Sequence, residues 1–259
     1  MLVDEDDNVD ALSLNAVFHA EETLHLTAAD EHRYHFSLTD INSAGGRGKQ
    51  YFLPGVHSDI GGGYRDMAKE DQPILGSSGI KNQVLLQACN ISAKEAEADM
   101  ENLIAAGRYK QSPIEKENEI SIKNHDYYYN TPGREKSHAP PILVEHWLET
   151  VTRSDIRNTY STIPLHLMAK EARDKGIVFN DRFDDDEVVP AELDKVQKAI
   201  QGYIDTHTPS SSQAVDWHDN DRGWLRRLRH EYFHFSARMM PGHDPRIING
   251  KRIRKVYRG

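Results

Sequence analysis

The stretch "QYFLPGVHSDIGGGY", residues 50–64, decides how this chain is read. A short, mostly apolar run through Leu53 is stopped by Pro54, as expected of a buried strand that ends in a loop. Beyond it stand a histidine, a serine and an aspartate side by side, followed by three glycines. Two readings stay open. One is a glycine-rich turn whose Asp59 caps the next backbone amides. The other is a catalytic loop, with His57 aimed from a strand end and glycines keeping side chains away from a substrate.

Working outward, residues 11–32 carry Leu12, Leu14, Val17, Phe18, Leu24 and Leu26 in a mostly helical pattern, and "RYHFSL" alternates. "NSAGGRGK" reads as a loop, and residues 65–79 as irregular chain. "IKNQVLLQACN" looks helical. Ser92, with Glu95 three residues on, spells a capping box for a helix carrying Ala93, Ala96, Ala98, Leu103 and Ile104. "NEISIKNHDYYYN" (118–130) reads as a strand or hairpin arm, and "TPGREKSHAPP" as a loop. "LVEHWLETV" and "TIPLHLMAKEARDKG" read as helices, the second capped by Gly176. "PAELDKVQKAIQGYI" is an amphipathic helix with Pro190 in its first turn. "TPSSSQ" (208–213) is a flexible segment. No internal repeat and no domain linker is visible.

The 259 residues suffice to bury a substantial core. Apolar residues make up 37% and charged residues 28%, an ordinary soluble balance. No run approaches the ~18 apolar residues of a membrane span. The opening "MLVDEDDNVD" lacks the basic and apolar regions of a signal peptide. Cys89 is the single cysteine, so an internal disulfide is excluded, and "VLLQACN" suits a buried structural thiol. A net charge of −9 argues against general nucleic-acid binding. The tail "RIINGKRIRKVYRG" is basic against that background. It reads either as a solvated terminal strand or as a segment that meets anionic headgroups.

His230, Glu231 and His234 in "RHEYFH" spell H-E-x-x-H, which on a helix would set two imidazoles on one face for zinc, with glutamate as general base. The longer form of that motif asks for glycine and histidine where Ala237 and Met240 stand. Only His243 and Asp244 remain as a third ligand. "EYFHF" is also as strand-like as it is helical. A zinc metalloprotease is therefore an alternative from a different enzyme class. His19, His25, His32 and His35 read as surface or packing residues. "DWHDND" (216–221) reads as an acidic turn, since it lacks the glycine and distal glutamate of an EF-hand loop.

"FLPGVHSDIGGGY" resembles the motif of an uncharacterised α/β-hydrolase family that includes phospholipase effectors of bacterial type VI secretion. "HLTAADEHRYHFSLTDI" is similar to that family's segment ending in an acidic pair, an arginine and an aromatic residue. "IPLHLMAKEARDKGIVF" resembles its helix after the histidine loop, and "RLRHEYFHFSA" its late segment. The similarity runs in patches from about residue 20 onward. It implies an α/β fold, namely the C-terminal portion of an α/β-hydrolase, as one unit over 1–259 with an insertion or lid at 65–155. It implies His57 as triad base, with Gly55, Asp59, Gly61, Gly62 and Gly63 as loop support. The implied activity is ester hydrolysis in phospholipids without a cofactor, by an effector delivered into a neighbouring cell without a signal peptide. Its implied partners are a lipid substrate, the secretion apparatus and an immunity protein, with peripheral membrane contact and no nucleic acid.

The family's G-x-S-x-G nucleophile is not in this sequence, and "GSSG" at 76–79 has the wrong spacing. Asp6, Asp7 and Asp10 lack the context of the triad acid. Both groups are thus expected upstream of Met1, leaving the chain inactive alone. Ser58 is a poor substitute, because adjacent side chains on an extended backbone diverge. A third reading is a non-catalytic remnant that binds lipid or a partner through its basic tail.

Overall fold

The computed structural model describes residues 12–74, 92–109, 120–129, 142–207, 217, 223–237 and 243–259. In chain order its first elements are β1 (Thr23–Ala28), β2 (Leu38–Thr39), β3 (Gly48–Leu53) and α1 (His57–Gly61). There follow β4 (Ala68–Ile74), α2 (Ala93–Ala105), β5 (Ile120–Tyr129) and β6 (Ile142–Ile156). The last part runs α3 (Thr162–Asp174), α4 (Phe183–Asp186), α5 (Asp194–Thr206), α6 (Gly223–Glu231), β7 (Arg246–Ile248), β8 (Lys251–Ile253) and β9 (Val256–Tyr257). Helices and strands are mixed, and two of the small sheets are parallel pairs.

The pair that positions the site is β1 with β3, parallel and in register from Thr23 opposite Gly48 to Ala28 opposite Leu53. Parallel neighbours require a crossover, and residues 29–47 supply it. The ladder continues beyond both strands: the Ala29 amide donates to the Leu53 carbonyl at 2.8 Å, and the Asp30 amide to that of Gly55 at 3.0 Å. The chain segments that leave the two strands are thereby tied side by side. On the core face, Leu53 packs with Tyr160, Ile163, Leu193, Ile200 and Phe233, all buried. Burial of each such side chain is worth about 1.5–3 kcal/mol. Tyr160 takes its polar tip into this core by donating to the Pro54 carbonyl at 2.7 Å.

Several expectations hold. β3 ends one residue before Pro54. In α2, the Glu95 amide donates to Ser92 Oγ at 3.2 Å and the Ser92 amide to Glu95 Oε2 at 3.0 Å. α3 stops at Asp174, two residues before Gly176, whose φ of +82° lets the Ile177 amide turn back onto the Ala172 carbonyl at 3.0 Å. α5 buries Val196, Ile200 and Tyr203, spaced as one helical face. β5 is a strand, as its early alternation predicts.

Others do not. "LVEHWLETV" is not a helix but part of the fifteen-residue β6, paired antiparallel with β4 on one side and β5 on the other. Backbone pairing on both edges overrides a spacing that also suits a helix. Residues 23–28 are strand rather than helix, because Leu24, Leu26 and Ala28 alternate and β3 supplies a partner. Part of the expected irregular stretch forms β4, and "NSAGGR" winds into a 3-10 turn, Asn42–Arg47. The readings placed on 76–91, 131–141, 208–213 and most of "DWHDND" lie outside the described residues. The basic tail is not a free solvated strand. Its Asn249–Gly250 turn, with φ of +53° and +72°, closes β7 onto β8, and β9 pairs with β2. Arg252 is turned inward onto Asp99 through two contacts of 2.9 and 3.0 Å. No helix among the described residues is long and apolar enough to cross a membrane.

Candidate active site

His57 opens α1 four residues past the end of β3, and Glu31 lies three residues past β1. The paired strand ends bring them together: His57 Nδ1 lies 2.6 Å from Glu31 Oε2. The glutamate is fully buried, whereas the imidazole is 45% exposed. A fixed carboxylate at Nδ1 selects the tautomer that carries its proton there and leaves the Nε2 lone pair facing outward.

Three further contacts fix the glutamate. The Arg33 guanidinium donates from Nε to Oε1 and from Nη2 to Oε2, both at 3.1 Å, and Ser236 Oγ donates to Oε1 at 2.9 Å. The Arg33 amide adds a fourth at 3.2 Å. Burial on its own would raise the Glu31 pKa. The Arg33 hydrogen bonds and charge, with help from Ser236, outweigh it and hold the carboxyl at about 2. Arg33 in turn lies over the Phe36 ring, and its Nη2 is 3.0 Å from His57 Nδ1. At the other nitrogen, Ser58 Oγ lies 2.9 Å from His57 Nε2. The expectation that Ser58 diverges from its neighbour assumed an extended backbone, and the segment is instead a helical turn.

A second couple holds the loop from behind. Asp59 is buried; it accepts the Val56 amide at 2.9 Å and the His234 ring nitrogen Nδ1 at 2.8 Å. Burial pushes the Asp59 carboxyl upward, offset in part by the bonds from His234. Tyr64 stacks on the His234 ring at 3.8 Å between centroids. Gly55 makes the turn from strand to α1 at φ +112°, and a Cβ there would sit 3.1 Å from that of Asp59. Gly62 ends α1 in the left-handed conformation, φ +75°. Gly61 and Gly63 complete the loop, and Gly63 packs on Ser58, where a Cβ would meet its hydroxyl at 3.0 Å. Behind Glu31, Asp30 accepts from Arg108 Nη2 at 2.5 Å and from the Gly55 amide at 2.6 Å. Its own burial is outweighed by Arg108 and Arg229, which hold its carboxyl well below the usual range.

The zinc alternative does not survive this geometry. α6 ends at Glu231, so His230 and His234 do not share a helical face. His234 spends Nδ1 on Asp59, and Glu231 pairs with Arg227 at 2.8 Å. Among the described residues no group of three or more His, Cys, Asp or Glu side chains could hold a metal. Sequence reasoning singled out His57, Asp59 and the glycines, which the structure brings into one loop. It did not connect Glu31, Arg33 or Ser236 to His57. The only available signal was the acidic pair and arginine just past a strand, in the same relation to β1 as His57 to β3.

Fold and site together define a mixed α/β protein with a histidine–carboxylate couple at the ends of two adjacent parallel strands. No protein-family model matches the chain. No curated protein matches it. Among solved structures it is similar to the Tle1 effector bound to the VgrG spike from the type VI secretion system, with a TM-score of 0.52 and 17% identity. The match covers 92% of this chain and 50% of that one. At this identity the likeness is one of fold, and the chain spans half the length of the structure it matches.

Proposed function

We propose that the chain is part of a serine ester hydrolase acting on phospholipids, its fold the C-terminal portion of an α/β-hydrolase, with His57 as general base. The observation that carries this reading is the 2.6 Å contact of His57 Nδ1 with buried Glu31, at the ends of paired parallel strands. In this role Nε2 takes the proton of a serine hydroxyl as its oxygen attacks the ester carbonyl, then returns it to the departing alcohol. Glu31 keeps the imidazole in the required tautomer and stabilises the imidazolium while it exists. It thus supplies the acid that the sequence had been expected to leave upstream. Asp59 and the glycines support the loop, and no cofactor is required. The nucleophile of this reading is a serine in a G-x-S-x-G elbow, which these 259 residues do not contain.

The fold likeness to an effector bound to a secretion spike supports a biological setting as well. In that setting the protein is an antibacterial type VI effector, carried by the secretion apparatus into a neighbouring cell and neutralised at home by an immunity protein. Hydrolysis of phospholipid vesicles and of short p-nitrophenyl esters tests the chemistry, on this chain alone and joined to the sequence encoded upstream. The joined form should be active, and His57→Ala should lower turnover by several orders of magnitude. A folded His57→Ala variant that keeps most of its activity refutes the assignment. A second reading rests on the 2.9 Å contact of Ser58 Oγ with Nε2. Activity of this chain alone, abolished by Ser58→Ala, would make Ser58 the nucleophile.

A further inference from the structure

The segment that joins β1 to β2, residues 29–37, carries Glu31, Arg33 and Phe36, and the C-terminal tail meets it at several points. The Arg246 amide donates to the His32 carbonyl at 3.1 Å and the Tyr34 amide to that of Asp244 at 2.8 Å, with Arg33 bridged to Pro245 between them. Just past the segment, the Leu38 amide donates to the Lys255 carbonyl at 2.8 Å and the Asp40 amide to that of Tyr257 at 2.9 Å. Half-buried Arg254 reaches both ends of the segment with one side chain. Its Nη1 donates to the Ala28 carbonyl at 3.1 Å and its Nε to the Phe36 carbonyl at 2.9 Å, so its fork brackets Glu31 and Arg33. The Glu31 carboxylate also acts favourably on its charge.

Glu31 serves His57 only while its carboxylate stays at Nδ1. Arg33 grips that carboxylate through two contacts of 3.1 Å, but it stands two residues away in the same segment. A clamp of that kind moves with the loop it belongs to and does not by itself set where the loop lies. The bonds that set its place come from outside. Ser236 Oγ donates to Glu31, the Leu53 and Gly55 carbonyls hold Ala29 and Asp30, and the tail holds His32, Tyr34, Phe36, Leu38 and Asp40. Functional groups must be kept within about 0.5 Å of their working geometry, and the hydrogen bonds behind them do this. We infer that the C-terminal tail is a positioning strap for the Glu31–His57 couple, and that Arg254 is the side chain through which it sets the segment carrying Glu31. The inference does not depend on the hydrolase reading, because it concerns the hydrogen bond between the two residues and not the use His57 makes of it.

Proton NMR of the whole chain tests it, because an imidazole Nδ1 proton held by a buried carboxylate resonates far downfield and exchanges slowly with water. The unaltered protein should show that signal for His57, identified by its loss in His57→Gln. Arg254→Met removes both carbonyl contacts and should speed its exchange by about tenfold or more while the protein stays folded by near-ultraviolet circular dichroism. Arg252→Met is the comparison: Arg252 lies two residues away in the same tail but pairs with Asp99 of α2, so the His57 proton should keep its slow exchange there. Unchanged exchange in folded Arg254→Met overturns the inference. Equal acceleration in Arg252→Met also overturns it, since that would mark a general loosening, and so does an unaltered protein that lacks the signal. Should either variant fail to fold, the unaltered protein decides. As urea is raised below the unfolding transition, the His57 proton should lose protection together with the amides of Tyr34, Leu38 and Asp40. Loss over separate ranges of urea overturns the inference.

Discussion

Replacing Glu31 by glutamine tests the centre of this description, because it keeps the shape of the side chain and removes only its charge. In the folded protein the carboxyl is held at about 2 against an ordinary 4.5, burial opposing and the Arg33 bonds prevailing. At 1.36 kcal/mol for each tenfold change in acidity, that difference amounts to about 3 kcal/mol of stability at neutral pH. An independent estimate agrees: Arg33 and Glu31 are both nearly inaccessible, and breaking a buried pair from one side costs about 3–5 kcal/mol. The direction with pH follows from the lowered value. A carboxyl depressed on folding contributes fully above its unfolded pKa of 4.5 and loses that contribution as pH falls toward about 2. Urea denaturation of the two proteins should therefore separate them by about 3 kcal/mol at pH 7 and about 1.5 kcal/mol at pH 3. A separation below about 1 kcal/mol at pH 7 would refute the reasoning. So would one that stays constant across this range, since it would show that the charge is not what Arg33 and His57 recognise.

Two further substitutions address the loop. Gly55→Ala should cost about 2–3 kcal/mol in denaturation, since φ +112° is strained for any L side chain and the new Cβ would press on Asp59 at 3.1 Å; a loss under about 0.5 kcal/mol would contradict that. His234→Phe removes the donor to buried Asp59 and should cost about 3–5 kcal/mol at pH 7. Burial already places the Asp59 pKa above its ordinary value, and loss of His234 moves it higher. An acid raised on folding withdraws stability as pH climbs from its unfolded pKa through its folded one. The deficit of this variant should accordingly shrink as pH is lowered from 7, and a deficit that grows on acidification would contradict this assignment.

What the sequence disclosed depended on how local the cause was. The α2 capping box, the glycine that closes α3 and the apolar face of α5 are each written within a few residues, and each is found in place. β6 is different: apolar residues at 143, 144, 147, 148 and 151 fit one helical face, and only the strands on either side decide the matter. The site divides the same way. His57 and its glycines form a local pattern, whereas Glu31 acquires its role from strand pairing. Nothing in the composition of 41 acidic residues marks out the one that meets the imidazole. The H-E-x-x-H spelling failed for a related reason, because such a motif acts only on a continuous helix and α6 stops at its glutamate. The environment of Ser58 was misjudged because a turn of helix begins where extended chain had been assumed.

The pairing of β1 with β3 also has a consequence in time. Glu31 and His57 are separated by only 26 positions, so their encounter closes a short loop and can occur soon after both have left the ribosome. Two of the contacts that steady them span far more chain: 175 positions from Asp59 to His234, and 205 from Glu31 to Ser236. A nascent chain thus holds this pair and its Arg33 clamp long before it holds the braces from His234 and Ser236. The final form of the site waits on residues 234 and 236, and a chain cut short of them has a histidine and a glutamate that can meet, held by Arg33 but without His234 and Ser236 behind them.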